Sequence, residues 1–132
     1  AEPVQSVARA EFESLQDGDV LFIDSSHVLA VGSDVQYLIL QVLPVLAKGV
    51  WIHFHDIRYP QDYPRSWVLK QRQVWSEQYL LQAFLAFNSS FHDVLPGNYM
   101  YRRHPDRMRE AFADLPTGGE GWPGSFWIRR AA

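Results

Sequence analysis

Val20-Leu21-Phe22-Ile23-Asp24 and Val50-Trp51-Ile52-His53-Phe54-His55-Asp56 are the two stretches on which the fold turns. Each is a largely apolar run that closes on an aspartate. A strand without polar alternation is covered on both faces, which is the habit of parallel sheets. Between the two runs lies a helix pattern. Ser33 is placed to cap it, with Gln36 three residues later completing a capping box. Val35, Leu38, Ile39, Val42, Leu43 and Leu46 then form one apolar stripe at helical spacing. Pro44 is expected to kink or fray the last turn, because it removes a helix hydrogen bond. Gly49 is the expected stop. Strand, helix, strand of this length reads as a right-handed βαβ unit with parallel strands. Asp24 and Asp56 therefore share the carboxyl edge of one sheet.

Outward from this unit the pattern is less regular. Residues 5–15 carry Val7, Ala8, Phe12 and Leu15 at helical spacing, which predicts a helix, and Asp17-Gly18-Asp19 is a turn. Residues 57–75 are rich in Pro, Tyr, Trp and Arg and read as a long lid or binding loop, with one helical turn near Trp67. The spacing predicts a buried helix over 77–87, capped by Ser76. Strands are expected at 91–95 and 125–129, the last one antiparallel, with a short helix over 105–112 that opens on a proline. Gly118 to Gly124 reads as a glycine-rich turn. It is no phosphate loop, since it lacks the Gly-Lys-Ser/Thr ending.

The 132 residues suffice for one domain and its core. The hydrophobic share of 47% argues against disorder, and the net charge of -3 leaves no electrostatic footprint for nucleic acid. No cysteine is present, so disulfides and thiolate metal sites are excluded. No apolar run approaches the roughly 20 residues that span a bilayer. No secretion signal opens the chain, so a cytoplasmic location is the default expectation. The first residue is alanine, which is compatible with processing or with excision from a longer protein.

In open α/β sheets, ligands bind outside the carboxyl ends of the strands. That rule selects Asp24, Ser25, Ser26 and His27 after the first run, and His55 and Asp56 after the second. Two carboxylates and two imidazoles could hold one divalent cation, or an imidazole could serve as a general base. The plainer alternative is that the aspartates cap loops and the histidines pack with a satisfied hydrogen bond. His53 shares a face with His55 but lies deeper, and is expected in the core. His92 and His104 are expected on the surface. Glu77 and Gln78 open the 77–87 helix, either as charge and polarity suited to its N-terminus or as substrate contacts.

Four motifs in order carry a resemblance: Leu21-Phe22-Ile23-Asp24-Ser25-Ser26-His27, Gly32-Ser33-Asp34, His53-Phe54-His55-Asp56-Ile57 and Trp75-Ser76-Glu77-Gln78-Tyr79-Leu80-Leu81. They resemble class I S-adenosylmethionine-dependent methyltransferases, nearest to the small-molecule and sugar O-methyltransferases, over residues 5–130. The resemblance implies the C-terminal half of a Rossmann-like methyltransferase sheet, with parallel strands and a final antiparallel one. The N-terminal half, which holds most of the cofactor, would be absent, making 1–132 a single partial domain. It implies Asp24, Ser25 and Ser26 beside S-adenosylmethionine, and His55, Asp56 and His27 around the acceptor. In metal-dependent relatives, carboxylates at these strand ends bind magnesium, which nominates Asp24 and Asp56 as ligands.

The activity so implied is methyl transfer to a hydroxyl of a small molecule, with no nucleic-acid or membrane partner. A sheet cut at this point exposes the 20–24 strand as an edge, so self-association through that edge is expected. The isolated chain is then expected to be inactive. Two other readings of the same residues are a metal-dependent hydrolase and a non-enzymatic interaction domain. The latter requires Tyr59, Tyr63, Trp67 and Trp75 to form an exposed patch.

Overall fold

A computed structural model describes residues 2–114 and 122–132. Its centre is a four-stranded mixed sheet built from β1 (Val20–Ile23), β2 (Trp51–Phe54), β3 (Phe91–Pro96) and β4 (Phe126–Arg130), in the order β1-β2-β4-β3. β1 and β2 are parallel, with Val20 opposite Trp51 and Ile23 opposite Phe54. β4 is antiparallel to both β2 and β3. Three strands therefore run one way and the last runs back, as the sequence implied; it lies between β2 and β3. The β3–β4 register slips between Asp93 and Leu95.

The α/β class stands, and several helix expectations need correction. Residues 5–15 do not form one helix. A 3-10 turn, Val4–Ser6, is followed by α1 (Arg9–Glu13), with Val7 extended between them. The carbonyl of Val7 accepts a hydrogen bond from the Tyr37 hydroxyl at 2.9 Å, which ties this break to the next helix. That helix begins as α2 (Asp34–Tyr37), widens into a π-helical segment, Leu38–Val42, and tightens into a 3-10 turn, Leu43–Val45. Pro44 explains the change. It offers no N–H to the preceding turn, and its ring would strike the carbonyl of residue 40 in an unbroken α-helix. The apolar stripe survives the distortion: Val35, Leu38, Ile39, Val42, Leu43 and Leu46 are all buried. Each contributes roughly 1.5–3 kcal/mol of burial. The cap is as expected, with Ser33 Oγ accepting from Gln36 N–H. The Gln36 side chain returns to Gly32 N–H, one residue earlier than in a standard capping box.

The long segment after β2 contains α3 (Arg65–Leu69). It leads to α4 (Glu77–Leu85), which is shorter than expected and buried on one side only, through Glu77, Gln78 and Leu81. Tyr79 is exposed, and so is Phe87 beyond the helix end. Ser76 does not cap α4 with its side chain. Its hydroxyl instead accepts from Leu29 N–H at 2.8 Å. Two further helices follow β3: α5 (Gly97–Arg103) and α6 (Pro105–Ala111). α6 was legible from its leading proline and α5 was not read. Gly118 to Gly121 lie outside the described residues. Among the described residues, no helix is long and apolar enough to cross a membrane.

The face of the sheet carrying Leu21, Ile23, Ile52, Phe54, Phe126 and Ile128 joins the stripe above in one hydrophobic core. β1 is a terminal strand of this sheet, with β2 its partner. Val20 and Phe22, which point away from the core, are 53% and 61% exposed. A groove of about 570 Å³ runs past this strand, lined by Val4, Phe12, Phe22, Ile23, Asp24 and Leu38 among others.

Candidate functional site

Parallel pairing brings the carboxyl ends of β1 and β2 side by side. The pairing continues one step past the strands, where His55 N–H donates to Ile23 carbonyl oxygen at 2.9 Å. Asp24 and His55 are thereby set next to each other, with Asp24 Oδ1 3.6 Å from His55 Nδ1. Asp56 Oδ2 lies 3.4 Å from the same nitrogen. Both separations exceed a good hydrogen bond, so His55 stands loosely between two carboxylates. His55 and Asp24 side chains are about half open to solvent.

His27 reaches the same spot from the loop after β1. Its Nε2 is 3.7 Å from Asp24 Oδ1. Unlike His55 it is buried, and its other nitrogen, Nδ1, is 2.8 Å from Glu77 Oε2. The backbone of His27 is left-handed, at φ 59°. Several contacts hold it there. Its carbonyl accepts from the N–H groups of Ser76 and Glu77 at the start of α4. Its own N–H donates to Ser25 Oγ at 2.9 Å. The Trp75 ring lies 4.3 Å from the imidazole, centroid to centroid.

Glu77 is 1% exposed. Ser25 Oγ donates to its Oε1 at 2.8 Å, so both carboxylate oxygens are engaged. A buried charge without such partners would be costly. Burial pushes the His27 imidazole down, but the Glu77 hydrogen bond and charge, with Asp56 and Asp24 beyond, outweigh it and hold the pKa above 6.5. His53 moves the other way. Burial and then the neighbouring His55 hold its pKa below 6.5, and its Nε2 pairs with Ser125 Oγ at 2.8 Å. It is buried, as the sequence suggested, but on the face of the sheet away from the hydrophobic core, stacked on Phe22.

Of the residues singled out from the sequence, Asp24, His27 and His55 converge, and Asp56 borders them. Ser25 and Ser26 serve the loop. Ser25 links His27 to Glu77, while the Ser26 hydroxyl and N–H both bond the Asp34 carboxylate. Those bonds hold the Asp34 pKa low against the opposing effect of its burial. Glu77 is the partner that spacing could not assign. It lies 50 residues from His27, and its signal in the sequence was only an acid opening a helix behind an aromatic loop.

Of the aromatic residues of that loop, Trp75 packs on His27, and Tyr63 and Trp67 pack on Trp75. Tyr63 is buried and lies 5.5 Å from Trp75, and Trp67 lies 5.2 Å from Trp75. Tyr59, Trp67 and Trp75 are half-buried rather than laid out as an open patch.

Asp24, His27 and His55 each offer a donor atom within 4.8 Å of the others. Two imidazoles and one carboxylate suit a borderline transition ion. They do not fit magnesium, which takes oxygen ligands in near-octahedral array, and His55 Nδ1 lies within 3.6 Å of both Asp24 and Asp56. S-adenosylmethionine fits better. The Asp24 carboxylate stands open on a largely apolar groove, a setting that suits a sulfonium beside apolar adenosyl and methylene surface.

Residues 1–57 match the model of a family described as a methyltransferase domain. The matched span carries β1, α2, β2 and the site residues Asp24, Ser25, Ser26, His27, His55 and Asp56, and stops before Glu77. No curated protein and no solved structure matches the chain. The match agrees with the resemblance to class I S-adenosylmethionine-dependent methyltransferases over the first three of its four motifs and supports methyl transfer in general; it does not extend to the small-molecule and sugar O-methyltransferase subgroup.

Proposed function

We propose that this domain transfers a methyl group from S-adenosylmethionine to a hydroxyl of a small molecule, at the carboxyl end of β1 and β2. The observation that carries the reading is the convergence of Asp24, His27 and His55 there, in a chain whose first 57 residues match a methyltransferase domain. When bound, S-adenosylmethionine supplies a methyl group on positively charged sulfur. Displacement needs an oxygen nucleophile in line with that methyl and close to it. A neutral alcohol is a poor nucleophile, and the imidazole pair supplies a base for its proton. The Asp24 carboxylate offers negative charge to the sulfonium side. The 57–75 segment, through Tyr63, Trp67 and Trp75, excludes water from the acceptor side.

The exposed β1 edge supports a further part of this reading, that the domain is the C-terminal half of a methyltransferase sheet. An apolar terminal strand with no Lys or Pro to blunt it is an arrangement that natural proteins avoid. We therefore expect added strands or a second copy to cover it. Light scattering of the 132-residue chain on its own is expected to show assembly. A stable monomer would contradict that expectation.

The activity test uses the polypeptide as its cell makes it, including any segment beyond these residues. Labelled methyl transfer to a panel of alcohols and phenols is expected from the wild type. Asp24→Ala, and separately the double variant His27→Ala/His55→Ala, should each lower turnover by about 10²-fold or more. Turnover within a few-fold of wild type in both would overturn the assignment.

A further inference from the structure

We propose that Glu77 is a positioning residue that holds His27 in its Nδ1–H form and aims Nε2 at the acceptor, so that His27 and not His55 takes the acceptor proton. The inference rests on the methyl-transfer reading above and adds the identity of the base.

The two imidazoles differ in what holds them. His55 has no short partner. Its Nδ1 is 3.6 Å from Asp24 and 3.4 Å from Asp56, and its side chain is 48% exposed. His27 is held on every side. Nδ1 meets Glu77 Oε2 at 2.8 Å, Trp75 packs on the ring, and the backbone carbonyl is bound by two N–H groups of the α4 start. With Ser25 donating to the other oxygen of Glu77, the carboxylate accepts on both sides. It is then the acceptor toward His27, and Nδ1 carries the hydrogen.

A neutral imidazole with hydrogen on Nδ1 has its lone pair on Nε2. That nitrogen faces Asp24 at 3.7 Å, in the cluster where the acceptor is expected. When Nε2 takes the acceptor proton, the resulting imidazolium is stabilised by Glu77 behind it and Asp24 before it. The acceptor oxygen then forms its bond to the methyl carbon as the carbon–sulfur bond breaks, and the electron pair leaves on sulfur. The logic is that of a carboxylate orienting a general-base histidine. Its elements are the loop after β1 and the first turn of α4.

The test has two arms on the natural polypeptide. In the first, ¹⁵N-histidine NMR near pH 8 reads the ring tautomer without any cofactor. Wild-type His27 is expected as the Nδ1–H form. Glu77→Ala is expected to release it toward the Nε2–H form common in free histidine. An Nε2–H form in the wild type would overturn the proposal, as would a tautomer unchanged by Glu77→Ala.

The second arm is kinetic. Glu77→Gln keeps shape and an acceptor oxygen but removes the charge. It is expected to lower kcat about 10- to 100-fold with KM for the acceptor little changed, by analogy with the loss of the carboxylate behind a metal-bound histidine. His27→Ala should fall further than His55→Ala. Full kcat in folded Glu77→Gln, or a larger loss in His55→Ala than in His27→Ala, would overturn the assignment of the base. Absence of methyl transfer in the wild type would instead refute the reading beneath it, and the tautomer arm would still decide the role of Glu77.

Discussion

The two ends of the β1–β2 pair solve the same geometric problem with different residues. At the amino end the chain turns through left-handed backbone at Gly18 and Gly49, both at φ 92°. Glycine takes that conformation without steric cost. At the carboxyl end the left-handed positions are His27 at φ 59° and Asp56 at φ 56°. A side chain there costs on the order of 1–2 kcal/mol, less for aspartate, which tolerates the region. The charges differ in the same sense. The amino end carries an open ion pair, Asp17–Arg129 at 2.8 Å, of the kind worth under about 1 kcal/mol. The carboxyl end buries the Glu77–His27 pair. Strain and buried charge persist only where surrounding contacts over-determine them, and such places cluster at functional sites. At the β1–β2 pair both sit at one end.

Substitutions at the left-handed positions break the comparison most sharply. At Gly49 an added Cβ would lie 2.0 Å from Asp17 Oδ1 and 2.7 Å from Asp17 Cβ, on backbone that disfavours it. Gly49→Ala is expected to lower unfolding free energy by at least about 1–2 kcal/mol and to leave kcat alone once folded. Asp56→Gly should do the reverse, leaving stability within about 1 kcal/mol of wild type or slightly higher while turnover falls. Urea melts and initial rates on both variants check this. A strongly destabilised but fully active Asp56→Gly would erase the distinction between the ends.

A smaller effect sharpens the contrast through pH. The raised pKa of His27 means that the folded state binds its proton more tightly than the unfolded chain does. The stabilisation is full below about 6.5, the ordinary histidine value, and is lost as pH rises through the higher folded value. His53, held low, acts with the opposite sign in wild type and variant alike, so it cancels in their difference. The stability gap between wild type and Glu77→Gln is expected to be widest at low pH and to shrink from pH 6 to 9. A gap that widens with pH would contradict the pairing.

Much of this was legible in the sequence because it is local. The two apolar runs, the Ser33 cap and the stripe from Val35 to Leu46 specify the βαβ unit, and parallel pairing alone sets Asp24 beside His55. What escaped depends on groups far apart in the chain or on local chemistry without a pattern. The Glu77–His27 bond spans 50 residues and requires the 57–75 segment to fold back over the site. Apolar periodicity could not distinguish an α-helix from the π-helical and 3-10 path that Pro44 imposes on the same stripe. α5 begins at Gly97 with no side-chain cap and only Gly97 and Asn98 buried, so no apolar stripe announces it. The sequence nominates Ser25 and Ser26 beside the cofactor; both line the β1 groove, and the bonds of their hydroxyls to Glu77 and Asp34 had no signal in the sequence.

Amide shift mapping of the natural polypeptide, during titration with the demethylated cofactor S-adenosylhomocysteine, tests the central claim most directly. Saturating shifts are expected at Asp24 to His27 and at His55 and Asp56, with Gly18, Gly49 and Arg129 unmoved. Shifts centred on the amino end, or no saturable shifts at all, would contradict the claim that the carboxyl end of β1 and β2 is where this protein works.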